Sequence, residues 1–254
     1  MAGVFSVDAD AIRVIEYGCS QLSERVWRDT LSILGIVEQV FRDRASFFSG
    51  VQKADGLLPK IRNAAILWAA AFLISGVVIG VPGGVYQMLA SAIKLPLLFG
   101  IAALATLPLL HLFALYTGIR LTIYQTAALA SGMLLIVSLL MLALSPALLA
   151  LWISVGHYGL YKLACGAALA LSSVLGILFL KQGLDKLARG SSRTREFLFW
   201  VWAVLYSLVG GQLAWIMRPF VGSPNEPFQF FRGAGGSLYL EIARTFWSLI
   251  LSLF

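Results

Sequence analysis

Five apolar runs, each close to the ~20 residues a helix needs to cross a bilayer, leave this chain few folds to choose from. They cover Ala64–Val81, about Leu95–Tyr116, Leu121–Ser145, Tyr158–Leu180 and Phe197–Met217. Pro82-Gly83-Gly84 stops the first run, Lys94 and Pro96 open the second, and Pro146 ends the third. The short turn Thr117–Arg120 predicts a tight helical hairpin between runs two and three. In lipid the backbone must satisfy its own hydrogen bonds, so these runs are read as helices. With 59% apolar and 12% charged residues, a chain of 254 residues has too little polar surface for a water-soluble globule. The net charge of +7 does not point to nucleic acid, because the basic residues are not interleaved with aromatics in a binding pattern. They sit in the connections, where Lys and Arg set membrane orientation.

Ahead of the runs lies the one polar segment with helical periodicity, residues 8–43. Ile12, Ile15, Cys19, Leu22 and Val26 recur at three- and four-residue steps, and Trp27, Leu31, Leu34, Val37 and Phe41 continue the stripe. Its opposite face mixes Arg13, Glu16, Glu24, Arg25, Arg28, Asp29, Glu38, Arg42 and Asp43. Charges this balanced suit a partner helix, or a second copy, better than a lipid surface. Ile15, Leu22, Val26, Leu34 and Phe41 are the candidate partner-binding residues. Ala45–Arg62 reads as a transition, broken by Gly56 and Pro59 and closed by the basic pair Lys60 and Arg62.

Counting the basic residues gives the orientation. Fourteen fall on the N-terminal side: eight up to Arg62, then Arg120, Lys181, Lys186, Arg189, Arg193 and Arg195. Five fall on the other side, namely Lys94, Lys162, Arg218, Arg232 and Arg244. The N-terminus is therefore expected in the cytoplasm of a bacterial cell and the C-terminus outside its inner membrane. After run five, Pro219, Gly222, Pro224 and Pro227 keep the chain irregular, with Phe220, Phe228, Phe230 and Phe231 as interfacial anchors. Ser237–Phe254 carries Glu241 and Arg244 near its start and reads as an in-plane helix on the external face, a sixth span being the alternative.

The expected fold is an all-α integral membrane protein. It comprises a cytoplasmic amphipathic helix (1–44), a linker (45–63), a five-helix transmembrane bundle (64–217), an external Pro/Gly/aromatic loop (218–236) and an external in-plane helix (237–254). Spaced small residues in the spans, including Gly76, Gly80, Gly166, Ala170, Gly176, Gly210 and Gly211, suit close helix approach.

Chemistry-bearing residues are sparse. No carboxylate lies within runs one to five apart from Glu196 at the cytoplasmic end, so a proton relay is not expected. His111 and His157 fall toward opposite faces, which argues against a shared metal site, and no cofactor motif is present. Cys19 and Cys165 form no Cys-x-x-Cys pair and read as small apolar fillers. His111 is expected to be hydrogen-bonded within the bundle. One constellation stands out: Lys94, Lys162, Arg218 and Arg232 share the external interface, the face that should be poor in cations. Together they are candidates for the phosphate of an anionic lipid. The alternative is that they snorkel and hydrogen-bond free helix-end carbonyls.

Three stretches carry a family resemblance: SAIKLPLLFGIAALATLPLLHLFALYTG (Ser91–Gly118), SVGHYGLYKL (Ser154–Leu163) and Gly210–Arg232, with its core WIMRPFVGSP. From Ser91 onward the chain resembles a group of bacterial multi-span membrane proteins commonly labelled "actin-binding WH2 domain-containing protein". In layout it also looks like the Yip-type, Rab-interacting five-span proteins, which have a cytoplasmic N-terminus and short loops. That second likeness implies a topology and almost no function.

The function expected from these features is a non-enzymatic membrane scaffold or accessory subunit that binds a protein partner or its own copies. The alternatives are a lipid- or small-solute-handling protein working through the external cationic cluster, or an oligomeric pore.

Overall fold

A computed structural model of the chain describes residues 35–54, 56–188, 193–222 and 228–231. Among these residues all regular structure is helical. A helical stretch over 35–41 comes first, followed by α1 (Arg44–Gln52), α2 (Leu57–Gly80), a 3-10 turn (Val81–Gly83), α3 (Val85–Tyr116), α4 (Ile123–Val155), α5 (Tyr158–Leu187) and α6 (Arg193–Met217). Helices α2 to α6 are long and apolar enough to cross a bilayer, the architecture of a multi-pass membrane protein. Residues 1–34 and 232–254, and with them most of the expected N-terminal helix and the whole in-plane helix, lie outside the described residues.

Each span reaches beyond its apolar run at one end, and in α3 and α4 proline does not stop the helix as it does in water. Pro96 and Pro108 lie inside α3 and Pro146 lies inside α4, which runs on to Val155. Ser145 donates to Met141 O at 2.9 Å and Thr106 to Ala102 O at 2.9 Å, so the hydroxyls beside Pro146 and Pro108 are satisfied by the preceding turn of their own helices. The segment expected as a linker is largely helical as well. Asp43 caps α1 through Ser46 N at 3.1 Å, Gly56 takes a left-handed conformation at the cap of α2, and Pro59 sits in the first turn, where no N–H is needed. Phe47, Phe48 and Val51 of α1 are buried, and both rings lie within 6 Å of the Phe179 ring of α5, at 5.8 and 5.0 Å. Gln125 Nε2 in the first turn of α4 donates to Val51 O at 2.9 Å and closes this corner.

Helix neighbours run in a row, α5–α4–α2–α3–α6, with a lesser α3–α4 contact. The expected α3–α4 hairpin is joined by a short connection, but α4 packs chiefly on α2 and α5. The tightest junction is α2 on α3. A Cβ on Gly76 would lie 2.5 Å from Ser91 O, and one on Gly80 would lie 2.6 Å from Gln87 O, so only glycine lets these backbones meet. Trp202 Nε1 docks α6 on α3 through Thr106 O at 3.0 Å, and Tyr161 Oη docks α5 on α2 through Val78 O at 2.6 Å. The turns 81–84, 156–157 and 218–222 therefore share one face, here the far side, and α1, 117–122, the end of α5 and the start of α6 share the other, the N-side.

Candidate functional site

Helices α5 and α6 close the two ends of the helix row, and they barely touch. Toward the far side, residues of both helices line a half-open cleft of about 640 Å³. Tyr158, Lys162, Cys165 and Leu169 line it from α5 at steps of three and four, so they occupy one helical face. Ala214, Trp215 and Arg218 line it from α6 and its end, over a floor of Ile79, Leu95 and Leu98. Gly166 and Gly211 face the space, and a Cβ on Gly166 would meet no atom within 4 Å. These small residues leave room for a ligand where the sequence suggested helix packing.

The cleft is polarised along its depth. Its charges stand at the far-side end, and two turns deeper, about 10 Å by helix rise, it is lined by Leu169 and Gly211. Lys162 is exposed and makes no hydrogen bond or ion pair among the described residues. The Arg218 guanidinium stacks 3.5 Å above the Trp215 ring. Arg218 Nε and Trp215 Nε1 are both shielded from solvent and lack an acceptor among the described residues. Two cations without an acidic partner among the described residues, Lys162 and Arg218, at the mouth of an apolar cleft are suited to one class of chemistry, an anionic head on an apolar tail.

Lys94 does not belong to this group, and the expected four-cation cluster is corrected accordingly. Its side chain is fully buried, 1% exposed, and turns to the other side of the 219–222 segment. There it donates to Pro219 O at 3.1 Å and to Phe230 O, with its ammonium 4.7 Å from the Phe230 ring and 5.3 Å from the Phe231 ring. Of the expected alternative only the carbonyl bonding is seen for Lys94, because its ammonium is buried and does not snorkel. Arg232 lies outside the described residues, so Lys162 and Arg218 are the members of the expected group that the structure brings together.

Two residues that sequence reasoning passed over complete the arrangement around Lys94. Gln87 Nε2 lies 2.9 Å from both Pro219 O and Phe220 O, and Ser91 Oγ donates to Phe220 O. Gln87, Ser91 and Lys94 stand at i, i+4 and i+7, one polar stripe on the first part of α3, and that spacing was a usable signal. The stripe straps residues 219–222 along α3 up to Gly83, where a Cβ on Gly222 would lie 3.1 Å from Gly83 Cα. Irregular backbone near membrane depth requires such partners.

Elsewhere, His111 Nδ1 lies 3.0 Å from Thr126 Oγ1, the expected hydrogen bond within the bundle, and His157 caps α5 by accepting from Leu160 N at 3.2 Å. No cluster of metal-binding side chains is found among the described residues. Of the candidate partner-binding residues, Ile15, Leu22, Val26 and Leu34 lie outside the described residues. Phe41 is 39% exposed, and its neighbours Ile36 and Val40, off the expected stripe, are the ones buried against the bundle. A second cavity of about 540 Å³ on the N-side is lined by Gln52, Arg120, Gln125 and Arg195. Arg195 there lies 3.5 Å from Asp185, so one of its cations already has a counter-charge.

Compared with known proteins, the chain matches no family model, no curated protein and no solved structure at a significant level.

Proposed function

We propose that this chain is a lipid-binding membrane protein that holds an anionic amphiphile in the α5–α6 cleft. The observation that carries this reading is the pair Lys162 and Arg218, both without an acidic partner among the described residues, at the mouth of an apolar cleft of about 640 Å³. A depth of about 10 Å is shorter than half of a ~30 Å hydrocarbon core, so the cleft takes a head and the upper part of a chain from one leaflet. The excess of basic residues on the N-side supports placing that side in the cytoplasm of a bacterial inner membrane, with the cleft in the outer leaflet. The scaffold alternative draws mainly on residues 1–34, and the exposure of Phe41 is what the geometry adds to it.

Native mass spectrometry of the gently solubilised protein with phosphatidylglycerol or phosphatidylcholine tests the reading. Wild type is expected to retain phosphatidylglycerol preferentially. The Lys162→Ala, Arg218→Ala double variant should lose that preference by roughly tenfold or more, the scale of one or two charged hydrogen bonds. Equal retention by the double variant sinks the proposal.

A further inference from the structure

The strap on α3 does more than anchor a loop. Pro219 and Phe220 are themselves wall residues of the cleft, next in the chain to Arg218, and each carries a backbone carbonyl acceptor. Each carbonyl has two lone pairs, and each receives two donors from the far side of the wall. Pro219 O accepts from Gln87 and Lys94, and Phe220 O from Gln87 and Ser91. Gln87 Nε2 has Ser91 Oγ in reach as well, at 3.1 Å, but all of these donors hold the two oxygens on the α3 side. Lys162 and Arg218 line the cleft without an acidic partner among the described residues, and Arg218 Nε and Trp215 Nε1 lie shielded behind its wall with no acceptor there.

We propose that Gln87, Ser91 and Lys94 are positioning residues that make the cleft selective for anionic heads by drawing the Pro219 and Phe220 carbonyls away from it. The inference rests on the lipid-binding reading above and adds the origin of its charge preference. Released carbonyls would lie beside Arg218 and Trp215, satisfy their donors internally and present partial negative charge to an incoming phosphate. The cleft would then still accept a chain, but it would no longer favour an anion. Selectivity thus depends on a stripe that touches no ligand.

The test compares the phosphatidylglycerol-to-phosphatidylcholine retention ratio, again by native mass spectrometry on the full chain. Lys94→Met should lower that ratio at least fivefold while phosphatidylcholine retention holds or rises, and Lys94→Arg should restore most of it. A purely structural role would lower both lipids together, and that result overturns the inference. If Lys94→Met does not insert, Gln87→Leu with Ser91→Ala keeps the ammonium, strips both donors from Phe220 O and one from Pro219 O, and is judged by the same criterion. A wild-type ratio in the strap variants, with the ratio lost in the Lys162→Ala, Arg218→Ala variant, rejects the strap inference and leaves the cleft reading intact. A wild-type ratio in all of them rejects the cleft reading, and the strap inference with it.

Discussion

Replacing Gly80 by alanine tests whether the α2–α3 junction is set by the absence of a side chain. The added methyl would lie 2.6 Å from Gln87 O and Met88 Cα and 2.7 Å from Met88 N. Ordinary carbon contacts begin near 3.5 Å, so α3 must withdraw by about 1 Å along this turn. Overpacking of this kind costs about 1–3 kcal/mol, and the better helix propensity of alanine returns up to ~1 kcal/mol. Gly210→Ala is the control, because a Cβ there meets nothing within 4 Å and only the propensity term applies. Unfolding titrated with SDS in mixed micelles and followed by tryptophan fluorescence should separate the two variants by about 1–3 kcal/mol, with Gly80→Ala the weaker. Because the withdrawn turn carries Gln87, Gly80→Ala should also erode the lipid charge preference. Equal stability of the two variants would refute the close-contact reasoning.

Two further outcomes follow from the same geometry. Trp202→Phe removes the bond from Nε1 to Thr106 O and should lower stability by about 0.5–1.5 kcal/mol in the same titration while leaving lipid selectivity unchanged. Deleting residues 1–34 should leave phosphatidylglycerol retention at the wild-type level; loss of a co-purifying protein instead, with retention no longer selective, would favour the scaffold alternative.

Hydropathy made the five spans legible, since length and apolarity are what a bilayer selects. Their ends were misjudged at particular residues. Pro96 and Pro146 were read by the rules of water-soluble helices, yet both are carried inside longer helices. Gly56 and Pro59 were read as breakers, although a glycine cap and a first-turn proline are equally what begins a helix. Lys162 and Arg218 were legible as a pair because topology alone brings them to one face. Lys94 was grouped with them wrongly, because topology gives the depth of a residue and not the direction in which its side chain leaves the helix. The packing order of the helices decides that direction, and α3 turns its polar stripe to the strap. Gly166 was read as a packing residue for the same reason: a small side chain marks close approach or empty space, and only the neighbour distinguishes them.

The strap also has a history in time. Lys94 and its acceptors Pro219 O and Phe230 O are separated by 125 and 136 residues of chain. At about 5–20 residues per second of synthesis, the first of these gaps corresponds to roughly 6–25 s. Throughout that interval α3 stands in the membrane with an ammonium, an amide and a hydroxyl that have no strap to bond. Three more spans must be inserted before relief arrives. The polar stripe that finishes the protein is thus, during biogenesis, the mark of an unfinished one, and a nascent chain halted before Pro219 displays it to whatever guards the membrane against incomplete proteins.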